Sequence, residues 1–306
     1  MRIKARPEDF IVKEILPHDF IKTKGRFKVF ALIKRKATTH ECLRVIAQHF
    51  KLKFSDIGYC GLKDKHAQTI QYITLPRGEE FKTLKFKIRF VGYSSKHLRR
   101  GDHLGNEFTI TIKVSEEEKE LIKLNEPRVN EGFINLFGKQ RTGHEIIPKS
   151  FTYFALKGDY ETALLRYYIN KSKYAGKRLK KAYKECFKHW PDMKKCYSIL
   201  KGLEKNITLR PLREKDYLTA IKKIPKTELE LLVAGYQALV WNQDPQPELP
   251  VIKLPFLKTR GGKREVMVKP QDLMINYGDK EVILKFKLPK GSFATVLIDE
   301  LLRKNL

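Results

Sequence analysis

The stretch Gly58–Pro76, GYCGLKDKHAQTIQYITLP, holds the residues best suited to chemistry. Asp64 stands there between Lys63 and Lys65, on a loop that follows two glycines. Because nearby positive charge favours the ionised form of a carboxyl group, Asp64 is predicted to remain a carboxylate. A carboxylate on a loop can act as a nucleophile or as a general base. Spacing alone favours the alternative, a solvated turn in which the charges compensate one another.

The charge of the chain indicates the class of partner. Of 306 residues, 63 are basic and 35 are acidic, which gives a net charge of +28. Such an excess on a folded chain points to a polyanion, and nucleic acid is the usual one. The sequence contains no apolar run long enough to span a membrane, and its start, MRIKARPEDF, lacks the apolar core of a signal peptide. We therefore expect a cytoplasmic protein that does not bind a membrane, and no protein partner is implied.

The cysteines argue against a metal site or a disulfide scaffold. Four cysteines are scattered without C-x-x-C spacing or paired histidines. Cys60, near Asp64, could be a nucleophile, but a small buried apolar side chain is the favoured interpretation. The chain also lacks a G-x-G-x-x-G motif after a strand and a Walker motif, so neither a cofactor nor a metal is expected.

The elements that must position Asp64 predict a mixed α+β fold. The segment Thr69–Leu75, directly after the loop, is rich in residues that favour strands and ends before Pro76. Thr38 and Glu41 form a predicted capping box that opens an amphipathic helix. Further strands are predicted at 2–16, 27–34, 86–93, 106–114, 264–273 and 282–289. In the strand at 2–16, Phe10, Val12 and Glu14 share one face, and the strand at 27–34 is expected to be buried on both faces.

The middle of the chain has a different composition. Residues 146–226 contain 21 basic and 7 acidic residues in segments with helical periodicity. We expect a catalytic domain in two parts, 1–145 and 227–306, with a basic helical accessory module over 146–226 between them. The segment 171–190 interleaves aromatics with lysines, which suits either a helix along a phosphate backbone or an ordinary amphipathic helix with an aromatic core.

Several motifs in fixed order resemble the TruD family of tRNA pseudouridine synthases. The segment GLKDKHAQTIQ, from Gly61 to Gln71, resembles the family's G-x-K-D-x-x-A-x-T-x-Q motif, and GFINLFGKQRTG, from Gly132 to Gly143, resembles its N-x-F-G-x-Q-R-F-G motif. Further resemblances lie in KARPEDFIVKEI, HLRRGDHLGNEFTI, AGYQALVWN and LPKGSFATVLIDELL. His97, Thr142 and Asp299 depart from the family pattern, and only about 22 residues join Asn242 to Glu265, where the family usually carries an inserted domain.

The resemblance implies roles for individual residues. It makes Asp64 the catalytic residue and Phe137 the aromatic that stacks on the substrate base, with Asn135 at the loop or the base edge. Phe10 and Phe293 would line the pocket, although a plain core role is the alternative for both. Lys4 would lie close to Asp64 or bind phosphate. Lys63, Gln71 and Arg141 would support the site, or could be structural.

The resemblance also implies the fold and the activity. The fold would be the pseudouridine synthase catalytic domain, with a mixed, mainly antiparallel sheet and a central cleft. The activity would convert a uridine of tRNA, at position 13 in the D arm, to pseudouridine without a cofactor. The first alternative is a non-catalytic basic RNA-binding protein that retains the fold. A methyltransferase is a second alternative, but the missing glycine-rich cofactor loop argues against it.

Overall fold

The chain forms two compact units. The computed structural model describes residues 2–3, 6–142, 146–203 and 215–304. The first unit comprises Met1–Asn135 and Met267–Leu306, and the second comprises Leu136–Val266. The second unit therefore extends beyond the module predicted over 146–226 and includes the helix Lys226–Gln243, which the sequence had assigned to the second part of the catalytic domain. The functional roles assigned to the domains remain predictions.

The strands and helices lie close to the predicted segments. The strands are β1 (Arg2–Ile3), β2 (Phe10–Ile15), β3 (Phe27–Lys34), β4 (Gly58–Tyr59), β5 (Gln68–Leu75), β6 (Phe81–Lys82), β7 (Phe86–Ser94), β8 (Gly105–Lys113), β9 (Phe133–Ile134), β10 (Lys253–Leu254), β11 (Leu257–Lys258), β12 (Met267–Val268), β13 (Gln271–Tyr277) and β14 (Glu281–Pro289). The α-helices are α1 (Thr39–His49), α2 (Glu116–Glu131), α3 (Lys139–Thr142), α4 (Phe151–Leu156), α5 (Tyr160–Tyr174), α6 (Lys177–Lys188), α7 (Met193–Leu200), α8 (Tyr217–Lys222), α9 (Lys226–Gln243) and α10 (Ala294–Leu301).

The first unit is built on one mixed sheet. Its strand order is β13-β14-β8-β2-β5-β3-β7-β6, with β1 on β8 and β4 on β5. Among the described strands, β2 and β5 form the parallel pair of this sheet and its other pairs are antiparallel. The predicted α+β class with a mixed, mainly antiparallel sheet is confirmed.

A helix covers one part of this sheet because its apolar residues recur at helical spacing. The capping box predicted for α1 is present: the Thr38 side chain accepts a hydrogen bond from the Glu41 N–H, and the Glu41 carboxylate accepts one from the Thr38 N–H. Leu43 and Ile46 of α1 then pack on Phe30 and on neighbouring apolar residues of β3, β5 and β7. The interior of β3 is buried on both faces, as its uninterrupted apolar run predicts.

The second unit is largely helical, with the short hairpin β10–β11. The basic segment 171–190 is broken at Ala175–Gly176, so α5 ends and α6 begins within it. Tyr183 is fully buried, and Phe187 and Trp190 pack against the same core, whereas Tyr174 is 86% exposed. Most aromatics of the segment therefore belong to the core, and the lysines of α6 lie mainly on its exposed side.

Candidate active site

The sheet of the first unit opens next to the loop that carries Asp64. Strands β2 and β5 pair only from Ile11 to Lys13, opposite Gln68 to Ile70. After Ile70, the edge of β5 that β2 leaves unpaired pairs with β4, opposite Ile73 and Thr74. Residues 60–67 leave the sheet through the gap between β2 and β4. Gly58 is required at this gap because a Cβ there would meet Thr74 Oγ1 and would come within 2.7 Å of Leu98 O.

A buried ion pair fills the gap and holds the loop. Lys63 Nζ lies 2.9 Å from Glu14 Oε1, and the two side chains are 9% and 0% exposed. The same ammonium group donates to Asn106 Oδ1 at 2.6 Å. Glu14 Oε2 accepts the N–H of Tyr72 at 3.0 Å, which would otherwise lose its partner where β2 leaves β5. Lys63 is therefore a structural anchor of the loop.

Asp64 itself is half-buried on this loop. Its Oδ1 accepts the N–H of His66 at 2.9 Å, which fixes the carboxylate in a local turn. Its backbone carbonyl accepts a hydrogen bond from Lys34 Nζ at 2.9 Å, and Lys34 Nζ also donates to Ala37 O at 2.9 Å. Burial lowers the pKa of Lys34, and the nearby Asp64 carboxylate acts in the opposite direction. Lys34 thus supports the loop from the buried end of β3.

Gln71 braces the loop from β5. Thr39 Oγ1 donates to Gln71 Oε1 at 2.8 Å and accepts the N–H of Lys63 at 3.0 Å. Gln71 Nε2 donates to Gly61 O at 3.3 Å. Gln71 is fully buried, so these contacts give it a structural position beneath the loop. Helix α1 and strand β5 are in this way tied to the residues that precede Asp64.

Two neutral side chains, Cys60 and His103, lie near the Lys63–Glu14 ion pair. Cys60 is buried, and burial raises the pKa of its thiol to about 12, so the thiol is protonated near neutral pH. This supports the interpretation of Cys60 as an apolar side chain. Burial also lowers the pKa of His103 to about 4, with repulsion from Lys63 and Lys290 acting in the same direction. His103 Nδ1 is buried and has no hydrogen-bond partner within the described part of the chain.

The remaining predicted residues of the first unit lie at several places. Phe10 begins β2, one residue before Ile11 pairs with Gln68, and it packs edge-on against Phe108 at 6.3 Å. It is therefore at the sheet end from which the Asp64 loop emerges, and it is 6% exposed. Asn135 is also buried, at 5% exposure. Phe293 is half-buried at the N-terminus of α10. Lys4 lies outside the described residues.

Phe137 and Arg141 belong to the second unit. The Phe137 N–H donates to Asn242 Oδ1 at 2.8 Å, and Asn242 Nδ2 donates back to Phe137 O at 2.9 Å. The Phe137 ring meets Trp241 edge-on at 5.6 Å, and the Arg264 guanidinium lies 3.7 Å from the centroid of the Phe137 ring. Burial lowers the pKa of Arg264 to about 10, so it remains a cation at neutral pH.

Arg141 lies on the short helix α3 and is exposed, which suits a contact with an external anion. Of the residues that depart from the family motifs, Thr142 is half-buried at the end of α3 and Asp299 is exposed on α10.

Sequence reasoning missed several residues that hold these groups. Glu14 gave a signal, because an acid on the same strand face as Phe10 and Val12 must be buried with a partner. The sequence indicated less clearly that Lys34 is buried, because it is a lysine at the end of a strand that is apolar on both faces. Asn106 and Asn242 lie inside motifs but were not singled out. Arg264 gave no signal, since its partners are distant in sequence.

The described residues offer no group of three or more His, Cys, Asp or Glu side chains placed to hold a metal ion. Within the same part of the chain, none of the helices has the length and apolar character needed to span a bilayer.

Comparison with known proteins gives consistent matches. The sequence model of TruD, tRNA pseudouridine synthase D, matches residues 1–244 and 247–301. A Methanocaldococcus jannaschii protein named probable tRNA pseudouridine synthase D 2 is 35% identical over 255 residues, covering 79% of this chain and 60% of that protein. An Aquifex aeolicus protein named tRNA pseudouridine synthase D is 32% identical over 257 residues, covering 79% of this chain and 65% of that protein. The match thus spans less than two thirds of either relative.

A solved structure shares the fold. The crystal structure of a putative TruD protein from Methanosarcina mazei superposes with a TM-score of 0.76 at 22% identity, covering 99% of this chain and 94% of that one.

Proposed function

Because this chain belongs to the TruD family, we propose that it is an RNA-modifying isomerase that converts a uridine of tRNA to pseudouridine. By family resemblance the uridine is position 13 in the D arm. The reaction breaks the C1'–N1 glycosidic bond, forms a C1'–C5 bond and moves the C5 proton to N1, so its atoms balance without a redox step. A basic chain of net charge +28 suits an RNA substrate.

Asp64 is the proposed catalytic carboxylate. It can attack the sugar or base covalently, or take a proton from the sugar. Either role needs a carboxylate held at a constant position. The observation that carries the proposal is the support of its loop by the buried ammonium groups of Lys63 and Lys34, which bind Glu14 and the Asp64 carbonyl. A solvated turn has no need of such an anchor.

The substrate base must leave the RNA stack to reach Asp64. Phe137 is the proposed stacking aromatic, with the guanidinium of Arg264 over its ring as a rigid backing. Phe10 and Phe293 are proposed as pocket walls, Asn135 as a contact to the loop or base edge, and Lys4 as a neighbour of Asp64.

The test is to map pseudouridine in tRNA treated with the wild-type protein and with Asp64→Asn. An Asn side chain can keep the hydrogen bond from the His66 N–H, so the loop should stay folded. We expect one new D-arm pseudouridine with the wild type and none with Asp64→Asn at multiple turnover. Asp19→Asn, at an exposed carboxylate of the same unit, is the matched control and should remain active.

Retention of multiple-turnover activity by Asp64→Asn would overturn the assignment. If the wild-type protein binds tRNA but forms no pseudouridine, the non-catalytic RNA-binding alternative replaces the proposal.

A further inference from the structure

A basic pocket adjoins the Asp64 loop in the first unit. This hairpin pocket is lined by residues 33–35, by Gln68 and by residues 82–87, and it encloses about 250 Å³. It lies between the end of β3, the start of β5 and the turn that joins β6 to β7. The Asp64 loop also ends at the start of β5, so the pocket and the loop share one end of the sheet.

Lys34 connects the pocket to the loop. It is among the residues that line the pocket, yet it is only 1% exposed, and its ammonium group donates to the carbonyl oxygen of Asp64. The distance between the pocket and the backbone of Asp64 is therefore spanned by one lysine side chain. A group bound in the pocket would be a close neighbour of a group bound at Asp64.

Half of the residues that line the pocket are basic and none is acidic. Arg35 makes only a long, exposed contact with Glu8, at 3.7 Å. The other three exposed or half-buried cations, Lys82, Lys85 and Lys87, form no ion pair within the described residues. The Glu41 carboxylate interacts electrostatically with Lys85, but the cations of the pocket outnumber the carboxylates near them, and such an excess of positive charge attracts an anion.

The turn that carries these lysines is well ordered by hydrogen bonds. Thr83 N donates to Phe86 O at 2.7 Å, and Thr83 Oγ1 accepts the N–H groups of Lys85 and Phe86. The N–H of Arg35 donates to Lys85 O at 3.1 Å, which ties the turn to β3. Leu84 is 96% exposed at its tip. The fold therefore sets the backbone positions from which these lysines extend.

We propose that the hairpin pocket binds a phosphodiester group of the RNA strand that neighbours the nucleotide held at Asp64. This inference rests on the proposed function. Phosphate contacts fix the register of a nucleic acid without reading its sequence, and an extruded base needs its flanking backbone held. An acidic protein segment is the competing occupant.

The test compares two sets of charge removals on the Asp64→Asn background, which allows binding to be measured without turnover. The pocket set is Lys82→Gln, Lys85→Gln and Lys87→Gln. The control set is Lys22→Gln, Lys24→Gln and Lys96→Gln, three lysines near the opposite end of β3 and β7. The two sets change the net charge equally. Circular dichroism melting checks that both remain folded.

Binding to substrate tRNA is measured across a range of salt concentrations. Each phosphate contact contributes about 0.7 to 0.9 to the slope of log Kd against log salt. We expect the pocket set to reduce the slope by about 0.7 to 1.8, which corresponds to one or two phosphate contacts, and the control set to leave it unchanged. Equal changes in the slope for the two sets would mean that the lysines act only through the general electrostatic field of the protein, and this result would overturn the inference.

Substituted RNA locates the contact. Replacing single phosphates near the target uridine by neutral methylphosphonates should weaken binding of the protein at one or two positions, and the pocket set should be insensitive at those same positions. The inference would be overturned if the methylphosphonates weakened binding of the pocket set as much as they weaken binding of the parent protein. It would also be overturned if the pocket set bound tRNA normally but no longer bound an acidic peptide. Pseudouridine formation by the wild-type protein is measured in a separate assay, so a failure of the proposed function is distinguished from a failure of the phosphate-binding inference.

Discussion

The buried pair between Lys63 and Glu14 allows a quantitative test of how the Asp64 loop is held. With side chains 9% and 0% exposed, the pair belongs to the class in which removal of one partner costs about 3–5 kcal/mol, because the other charge remains buried alone. Lys63→Met leaves the Glu14 carboxylate with the N–H of Tyr72 as its hydrogen-bond donor but without a neutralising cation. Glu14→Gln keeps an acceptor for that N–H but leaves the ammonium group with Asn106.

The double variant removes both charges together. The amide that Glu14→Gln introduces can still accept from the Tyr72 N–H and can donate to Asn106 Oδ1, so the loss should be smaller than the sum of the single losses. We expect a coupling energy of about 2–3 kcal/mol.

The assay is hydrogen exchange of peptides spanning residues 58–75 during denaturant titration. Both tryptophans of the chain, Trp190 and Trp241, lie in the second unit, so their fluorescence reports the unfolding of that unit. The single variants should lower protection of residues 58–75 and leave the tryptophan transition unchanged. Single losses below about 1 kcal/mol, or additive losses in the double variant, would refute the view that this pair anchors the loop.

Two further predictions concern titration and ring packing. Because burial lowers the pKa of His103 to about 4, below its unfolded value near 6.5, the unfolded chain binds more protons between these values, and stability falls as the pH drops through this window. The loss in the free energy of unfolding should be about 2 kcal/mol after allowance for the partial exposure of the ring. Acid titration of the His103→Gln variant should show a correspondingly smaller loss of stability. A pH profile identical to that of the wild type would contradict a lowered pKa of His103. Arg264→Leu removes the cation over the Phe137 ring and should destabilise the second unit by about 1–2 kcal/mol in unfolding followed by fluorescence, with a shifted Trp241 emission. Lys258→Leu, at an exposed lysine of the same unit, is the control. Equal destabilisation by the two variants would count against a stabilising contact between Arg264 and the ring.

Much of the secondary structure could be predicted because its signals are local. The capping box at Thr38 and Glu41 is a contact between residues three apart, and the alternation in β8 and β14 reflects one buried face. The break at Gly176 was missed because a helical periodicity continues on both sides of it, and the core interpretation of Tyr183 and Phe187 needed the packing of the other helices.

The candidate site was predicted in part. Asp64 stood out through its flanking lysines and the motif around it, but the sequence assigned both lysines to its charge. The fold instead turns Lys63 toward Glu14 and Asn106, 49 and 43 residues away along the chain, because the separation of β2 from β5 leaves a polar gap that needs a buried cation. The partner of a buried charge depends on strand register, which no local pattern contains.

The sequence by itself determined the basic character of the protein, the order of its strands and helices along the chain, and the family motifs that mark Asp64. Those properties depend on composition and on neighbours a few residues apart. Only the tertiary structure decided that Lys34 reaches the Asp64 carbonyl, that Arg264 covers the Phe137 ring, and that the β6–β7 turn gathers its lysines beside the same loop. The contacts of Lys34 and Arg264 join segments that are distant in sequence, and they form because burial forces polar groups to find partners wherever the packed chain brings them. The β6–β7 turn reaches its position because β7 pairs with β3, which is also decided by packing between distant segments.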